Sequence, residues 1–389
     1  MKILVLSFYH PPDLCAGSFR ISAFLKALNG ELLSTDEVVV LTTMPNRYKT
    51  YSATAPREEQ IGKIKIVRFP LPSHKSGFFD QGKAFGMYAA QCLVFLVGRE
   101  FDVVFATSSR LFTAFLGAIV SRWKRVRLYI DIRDIFPDTM NSLLPSYLKK
   151  MLFPFLKCVE KLTLRSAFKV NLVSRGFEAY FRKIVPNTPV SFFYNGIDNE
   201  FLGYDYDHSD HRSIKIVTYA GNIGQGQGLE FIIPEIAKAT YGKCFYRIIG
   251  DGGRRDSLVK ALQRQNIRNV ELINPVNRGE LLKYYKKTDY LFLHLNSYEA
   301  FYKVLPSKVF EYAATGKPII AGVCGFASDF IEKNIDNSMV FRSCDAEDFL
   351  KKFKGFNPDD ANRKIFINSY KRSAIMNNLA KDFLQLCGR

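Results

Sequence analysis

The stretch Ile214-Lys215-Ile216-Val217-Thr218-Tyr219-Ala220-Gly221-Asn222-Ile223-Gly224-Gln225-Gly226-Gln227-Gly228 decides the fold. Seven residues rich in β-branched and aromatic side chains run into four glycines within eight positions, and a helical pattern opens at Leu229. A short apolar run ending in glycines ahead of a helix reads as a buried parallel strand feeding its crossover helix. The glycines let backbone N–H groups approach an anion, and the helix start adds partial positive charge. A bare strand-to-helix turn needs fewer glycines. The loop is not a P-loop, because no Gly-Lys-Ser/Thr follows, and it does not stand in the usual first unit of a dinucleotide fingerprint.

The same alternation extends in both directions. Before residue 200, the runs 2–8, 37–42, 64–69, 103–107, 127–131 and 169–174 read as strands separated by helical stretches. After a polar break at 205–212, the runs 214–220, 243–250, 270–272, 290–295, 318–322 and 339–341 form a second series. Strand–helix alternation implies doubly wound α/β sheets, so the expectation is two Rossmann-like domains facing across a cleft, residues 1–200 and 201–365. The stretch 359–386 looks helical, and 366–389 is expected to pack back towards the first domain. The 389 residues are too many for one ordinary core. With 47% hydrophobic and 24% charged residues, disorder, collagen and coiled coil fit poorly. Seven scattered cysteines without CxxC or Cys/His ligand spacing indicate neither a disulfide framework nor zinc, and a reducing compartment is the simple reading. The first apolar run is too short for a signal peptide, and the longest, 84–98, contains Gln91 and is too short to span a bilayer.

Four further segments carry candidate chemistry. Gly250-Asp251-Gly252-Gly253-Arg254-Arg255 follows a strand and reads either as a solvated turn or as backbone lining for a ligand, with Arg254 or Arg255 reaching phosphate. Pro306-Ser307-Lys308 opens a helix that Gly316-Lys317-Pro318 closes. Lys308 and Glu311 are three apart on one helix face, where they form an intrahelical pair or, if the face meets a nucleotide, a phosphate cation and an acceptor for two ribose hydroxyls. Gly17-Ser18-Phe19-Arg20 ends the loop after the first strand, and Arg20 reads either as a solvated arginine or as a group near an acceptor. Asp131-Ile132-Arg133-Asp134 places two carboxylates around an arginine at the end of a strand, either as a salt-bridge cluster or as a means of orienting a hydroxyl.

Taken in order, these segments resemble glycosyltransferase family 4, of the two-Rossmann-domain architecture called GT-B. The resemblance rests on Gly17-Ser18-Phe19-Arg20, Asp131-Ile132-Arg133-Asp134, Gly221-Asn222-Ile223-Gly224, Gly250-Asp251-Gly252 and above all Pro306-Ser307-Lys308…Glu311-Tyr312…Gly316-Lys317-Pro318. It is similar to bacterial enzymes of O-antigen or capsule assembly that often transfer an acetamido sugar. It implies a nucleotide-sugar donor, UDP-linked, in the C-terminal domain and an acceptor in the N-terminal domain, with retention at the anomeric carbon and no metal or other cofactor. It implies donor contacts from Gly221, Asn222, Gly224, Gln227, Gly250, Gly252, Arg254, Lys303, Pro306, Ser307, Lys308 and Glu311, and acceptor contacts from Gly17, Ser18, Arg20, Asp131, Arg133 and Asp134. Asp134, Lys308 and Glu311 are its catalytic set. Glu311 matches the second glutamate of the family's Glu-x7-Glu motif, whereas the first falls on Lys303. The family's basic pair in the glycine loop falls on Asn222 and Gln227, which leaves Lys308, Lys303 and Arg254 as candidate phosphate cations.

The formal charge of +18 is spread over both halves, a field that attracts polyanions. Residues 110–127 hold five basic residues and no acid among apolar side chains that include Trp123, and 145–169 hold six basic residues and one acid, Glu160. Such helices suit shallow binding to an anionic leaflet; the alternative is core helices with solvated outer faces, preferred for 84–98. The expected partners are a nucleoside-diphosphate sugar, a polyprenyl-diphosphate-linked saccharide and an anionic membrane, at the cytoplasmic face of the plasma membrane. Nucleic acid is not expected, for want of a recognition module. A nucleotide-sugar epimerase, with His10 or His294 as acid/base, and a non-enzymatic binding protein on the same scaffold are the alternatives.

Overall fold

The computed structural model describes residues 1–46, 54–71, 78–108, 110–144, 146–203, 206, 213–358, 361 and 363–388. The chain forms two compact units, Met1–Asn195 with Ser373–Arg389, and Gly196–Arg372. The polar break 205–212, Tyr206 apart, lies outside the described residues, as do 359, 360 and 362 of the expected last helix.

In the first unit the strands are β1 (Lys2–Leu6), β2 (Glu37–Thr43), β3 (Glu58–Ile61), β4 (Ile64–Phe69), β5 (Val103–Thr107), β6 (Arg127–Ile132), β7 (Lys169–Leu172) and β8 (Val190–Ser191). Their order is β3-β4-β2-β1-β5-β6-β7-β8, parallel except for the β3–β4 hairpin. β1 and β5 are buried along almost their whole length because helices cover both faces. The helix Phe78–Leu96 turns Ala84, Tyr88, Cys92 and Leu96 inward at four-residue spacing, so the 84–98 stretch is a core helix. The helix Arg372–Leu384 supplies Met376, Leu379, Ala380 and Phe383 to the core formed by Phe24, Phe105 and Tyr129. Burying side chains of this size contributes about 1.5–3 kcal/mol each. Asp382 of the same helix accepts hydrogen bonds from Tyr129 Oη at 2.8 Å and from Ser191 Oγ at 3.1 Å, and pairs with Lys169.

In the second unit the strands are β9 (Lys215–Ala220), β10 (Cys244–Ile249), β11 (Val270–Ile273), β12 (Tyr290–His294), β13 (Ile319–Gly322) and β14 (Ser338–Phe341). All pair in parallel, in the order β11-β10-β9-β12-β13-β14. The order reverses beside β9. In an open parallel sheet this switch point, at the carboxyl ends of the strands, is where ligands bind. The glycine loop 221–228 leaves β9 there.

The chain passes between units at 195/196 and 372/373, not at the expected 200/201 and 365/366. The shift has a local cause. Ile197 and Lys371 form a parallel bridge, Ile197 N donates to Tyr370 O at 2.7 Å, and Arg372 N donates to Ile197 O at 2.8 Å. These bonds bind 196–198 and 370–372 into the second unit.

Candidate functional site

Three backbone hydrogen bonds join the loops after β9 and β10: Gly221 N to Ile249 O (2.8 Å), Ile223 N to Asp251 O (2.8 Å) and Arg254 N to Ile223 O (2.9 Å). Two glycines permit the approach. A Cβ on Gly250, at φ +144°, would stand 1.9 Å from Gly221 O, and one on Gly221, at φ +149°, would stand 2.2 Å from both Cε and Nζ of Lys308. The Lys308 side chain therefore lies on the glycine turn, with Nζ 5.2 Å from the centre of the Tyr219 ring. Tyr219 Oη donates to Asn222 O at 2.6 Å and closes the turn beneath it.

Lys308 and Glu311 belong to the helix Lys308–Ala314, whose Val309, Phe310, Tyr312, Ala313 and Ala314 are buried. The i, i+3 spacing puts Lys308 and Glu311 together on its partly exposed face. Tyr312 Oη accepts from Ala220 N at 3.1 Å and ties this helix to the end of β9. Burial pulls the Lys308 ammonium below its ordinary range, against the charge of Glu311. Burial pushes the Glu311 carboxyl up, although Arg278, then Arg372 and Lys308, pull it down. An anion beside Lys308 would restore to the ammonium what burial removes, and hydroxyls donating to Glu311 would do the same for the carboxylate. Around them Arg278 reaches Asp198 and Glu200 at 2.5 Å each, and Arg372 reaches Asp198 at 2.8 Å, which fixes the cations that face Glu311.

The other expected donor residues are placed as follows. Asn222 Nδ2 and Gly224 N both donate to Gln227 Oε1, at 2.9 and 3.2 Å, so these three polar groups brace the loop from within. Gly252 lies in the loop bonded to 221–223. Arg254 Nε points to Glu230 Oε1 at 3.7 Å. Glu230, in the first turn of the helix Leu229–Ala239, is buried, its carboxyl pushed up by burial, and its oxygens have no hydrogen-bond partner among the described residues. Pro306 and Ser307 cap the Lys308 helix through their carbonyls, which accept from Val309 N and Phe310 N, and not through the Ser307 hydroxyl. Lys303 ends the 3-10 turn Glu299–Lys303 that precedes them.

Two residues that hold the loop escaped the sequence as donor-site residues. His294 Nδ1–H donates to Gln227 O at 2.6 Å, and its Nε2 accepts from Cys344 N at 2.9 Å, an acceptor role that fixes the neutral tautomer. Burial lowers its pKa to about 4. Asn296 donates from N to Gly226 O and from Nδ2 to Gln225 O, at 2.8 and 2.9 Å. With both ring nitrogens committed to backbone, His294 has none left to move a substrate proton, and His10 is buried with Nδ1 on Pro11 O at 3.2 Å. The epimerase alternative thus loses His294 as a candidate base.

In the first unit the structure corrects three acceptor residues, Arg20, Asp131 and Ser18. Arg20 is 1% exposed, and its Nε and Nη2 grip both oxygens of Asp131 at 2.8 Å. Its Nη1 and Nη2 also donate to Tyr194 O and Phe193 O, at 2.7 and 2.9 Å. Asn171 Nδ2 adds a bond to Asp131 Oδ1 at 2.6 Å. Arg20 and Asp131 are a buried clamp on residues 193–194 and do not face an acceptor. Burial acts to raise the Asp131 pKa, but Arg20 above all holds it below the usual carboxylate range. Ser18 is fully buried, so it too offers nothing to an acceptor, whereas Gly17 is partly exposed in the first turn of the helix Ala16–Glu31. Arg133, partly exposed, donates from N to Ser108 Oγ at 2.9 Å and from Nη2 to Asn195 Oδ1 at 3.4 Å. Asp134 is partly exposed, and burial carries its pKa up to about 7.

On the outer face of the helix Ser146–Arg165, Met151 and Phe155 are 66% and 55% exposed, and Leu162 follows at helical spacing. Lys150, Lys161 and Arg165 are exposed on the same helix. Leu156 of the same helix turns inward. Trp123 is exposed at the end of the helix Leu111–Lys124, with Lys124 Nζ 4.2 Å from its ring. Among the described residues no helix is long and apolar enough to cross a membrane.

The family described as Glycosyl transferases group 1 matches residues 210–372, and the Glycosyl transferase 4-like domain matches residues 30–196. A curated relative in Escherichia coli (strain K12), named "Putative colanic acid biosynthesis glycosyl transferase WcaI", is 25% identical over 340 residues, covering 81% of this chain and 82% of the relative. The solved structure of Anabaena Alr3699/HepE in complex with UDP and glucose superposes with a TM-score of 0.67 at 16% identity, covering 99% of this chain and 100% of that one. That of the lipopolysaccharide outer core galactosyltransferase WaaB superposes at 0.63 and 13% identity, covering 99% of each chain. With two family matches running from residue 30 to residue 372 on two doubly wound sheets, the chain belongs to the GT-B glycosyltransferases of family 4 type.

Proposed function

We propose that the protein is a retaining, metal-independent glycosyltransferase of surface polysaccharide synthesis, of the O-antigen or capsule kind. It moves a sugar, with an acetamido sugar favoured, from a UDP-linked donor to a polyprenyl-diphosphate-linked saccharide at the cytoplasmic face of the plasma membrane. The observation that carries this reading is Lys308 seated on Gly221 with Glu311 on the same helix face. The colanic acid assignment of the Escherichia coli relative and the UDP and glucose of the Anabaena structure support the polysaccharide and donor classes.

In this reading the diphosphate lies on the glycine turn beside Lys308, and the ribose hydroxyls donate to Glu311. As the bond from the anomeric carbon to the phosphate oxygen breaks, charge grows on the diphosphate, where backbone N–H groups and the Lys308 ammonium stabilise it. The acceptor oxygen bonds to the anomeric carbon on the face the diphosphate leaves, and its proton passes to the departing phosphate oxygen. Asp134 accepts a hydrogen bond from the acceptor hydroxyl and orients it. Met151, Phe155, Leu162 and Trp123, among exposed lysines and arginines, are the surface assigned to the anionic leaflet.

Incubation with a panel of nucleotide sugars, with and without a lipid-linked acceptor, tests the reading. Acceptor-dependent release of nucleoside diphosphate is the expected result. Sugar isomerisation without an acceptor, or no nucleotide binding, would contradict it.

A further inference from the structure

Asp134 borders a small cavity with a free volume of about 10 Å³, the room that a single water requires. Ser108, Thr163, Leu111 and Phe181 line it, and so does a second carboxyl group, Glu160. Asp134 Oδ1 is buried and has no hydrogen-bond partner among the described residues. Glu160, with a side chain only 3% exposed, enters from the helix Ser146–Arg165. Its Oε2 accepts from Tyr180 Oη, which in turn accepts from Lys157 Nζ. Lys157 also donates to Asp138 Oδ1 at 2.9 Å and lies 3.6 Å from Glu160. Lys157 and Asp138 are 31% and 22% exposed, so the chain of polar groups runs from the cavity to solvent.

We propose that Asp134 and Glu160 share one proton across this cavity, with Glu160 a positioning residue that sets the pH at which Asp134 becomes the anionic acceptor for the substrate hydroxyl. The inference rests on the acceptor role given to Asp134 above. Two carboxyl groups on one small cavity do not ionise independently. The first negative charge belongs on Glu160, which has Tyr180 and Lys157 to stabilise it. Asp134 has Arg133 beside it, is opposed by the charge of Glu160, and ionises second. The directions agree: burial raises both groups, Glu160 to about 6 and Asp134 to about 7, with Glu160 adding to the rise at Asp134. Asp138, on the helix Phe136–Leu143, pushes Glu160 up, and Lys157 pulls it down. Leu111 and Ser108 bring no titratable group from the remaining sides. In a transfer cycle the carboxylate form of Asp134 holds the acceptor hydroxyl by a charge-assisted bond, and the protonated form holds it more weakly.

The test follows the Asp134 carboxyl directly in the full-length protein, by ¹³C NMR titration with aspartate carboxyl labelling, its resonance identified by its loss in D134N. E160Q removes the neighbouring charge and keeps the shape. The Asp134 midpoint should fall by about one pH unit, the coupling expected of such a pair, and the acid limb of kcat/KM for transfer should move the same way. Y180F, which makes Glu160 harder to ionise, should move the midpoint in the same direction and keeps the test open if E160Q does not fold. A purely structural Glu160 would lower activity or melting temperature without moving the midpoint. An unmoved midpoint in folded E160Q, with D134N inactive, would overturn the proton sharing alone. Full transfer activity in D134N would overturn the acceptor role beneath it.

Discussion

Gly221→Ala is the substitution whose consequence the structure works out most fully. The new Cβ would stand 2.2 Å from Cε and Nζ of Lys308, where non-bonded atoms rest about 3.5–4.0 Å apart. The amine must retreat by about 1.3 Å or more. It can do so, because it is the free end of a flexible chain. The protein should therefore fold, at a backbone cost of about 1–3 kcal/mol for a non-glycine residue at φ +149°. The nucleotide loses its cation. A hydrogen bond to a charged group contributes about 1.5–3 kcal/mol, so affinity for UDP should fall roughly 10- to 150-fold. Titration calorimetry with UDP reads the affinity, and thermal melting reads the fold. Lys308→Met should lose a similar amount, and the double variant should bind no more weakly than K308M alone, because both changes remove one contact. Gly250→Ala is the contrast: its Cβ would meet the Gly221 carbonyl at 1.9 Å, backbone that cannot retreat, so stability should fall with affinity. Folded G221A that binds UDP like the parent, or a loss that adds in full to that of K308M, would refute the placement of Lys308 on the phosphate.

Glu311→Ala should weaken nucleoside diphosphate binding, by about 1.5–3 kcal/mol for each ribose bond to a charged acceptor; unchanged calorimetric affinity would exclude the ribose role. Arg20→Met should destabilise the first unit by about 3–5 kcal/mol in denaturant unfolding, because it leaves Asp131 buried without its cation. The parent should owe Asp131 a contribution that is present above the ordinary carboxylate range and lost as pH falls through its depressed folded value; R20M should lack this acid-dependent loss. The protein should float with anionic vesicles at low salt and less as salt rises, and Met151→Asp with Phe155→Asp should reduce flotation; a parent that never floats would remove the membrane from the account.

The strand framework was legible because buried parallel strands leave continuous apolar runs, as at 103–107 and 290–294. β3 escaped because its Glu58-Glu59-Gln60-Ile61 is polar and largely exposed, held as a hairpin on β4, and β8 because two residues leave no pattern. Lys308 and Glu311 could be read as a pair because helix geometry links positions three apart. Arg20 and Asp131 could not, since they lie 111 positions apart and only the sheet brings them into the interior. A loop residue that binds a ligand and one that braces its own loop look alike in sequence, which is why the mutual bonds of Asn222, Gly224 and Gln227, and the brace from His294 and Asn296, emerged only from coordinates. Glu160 read as the one acid of a basic helix; its meeting with Asp134 depends on tertiary packing.

The grip of the second unit on a sugar nucleotide is tested most directly by a crystal structure with UDP bound. The account predicts the diphosphate on the 221–224 turn within hydrogen-bonding reach of Lys308 Nζ, with the ribose hydroxyls on Glu311. A diphosphate bound elsewhere on that unit, or a ribose turned away from Glu311, would contradict it.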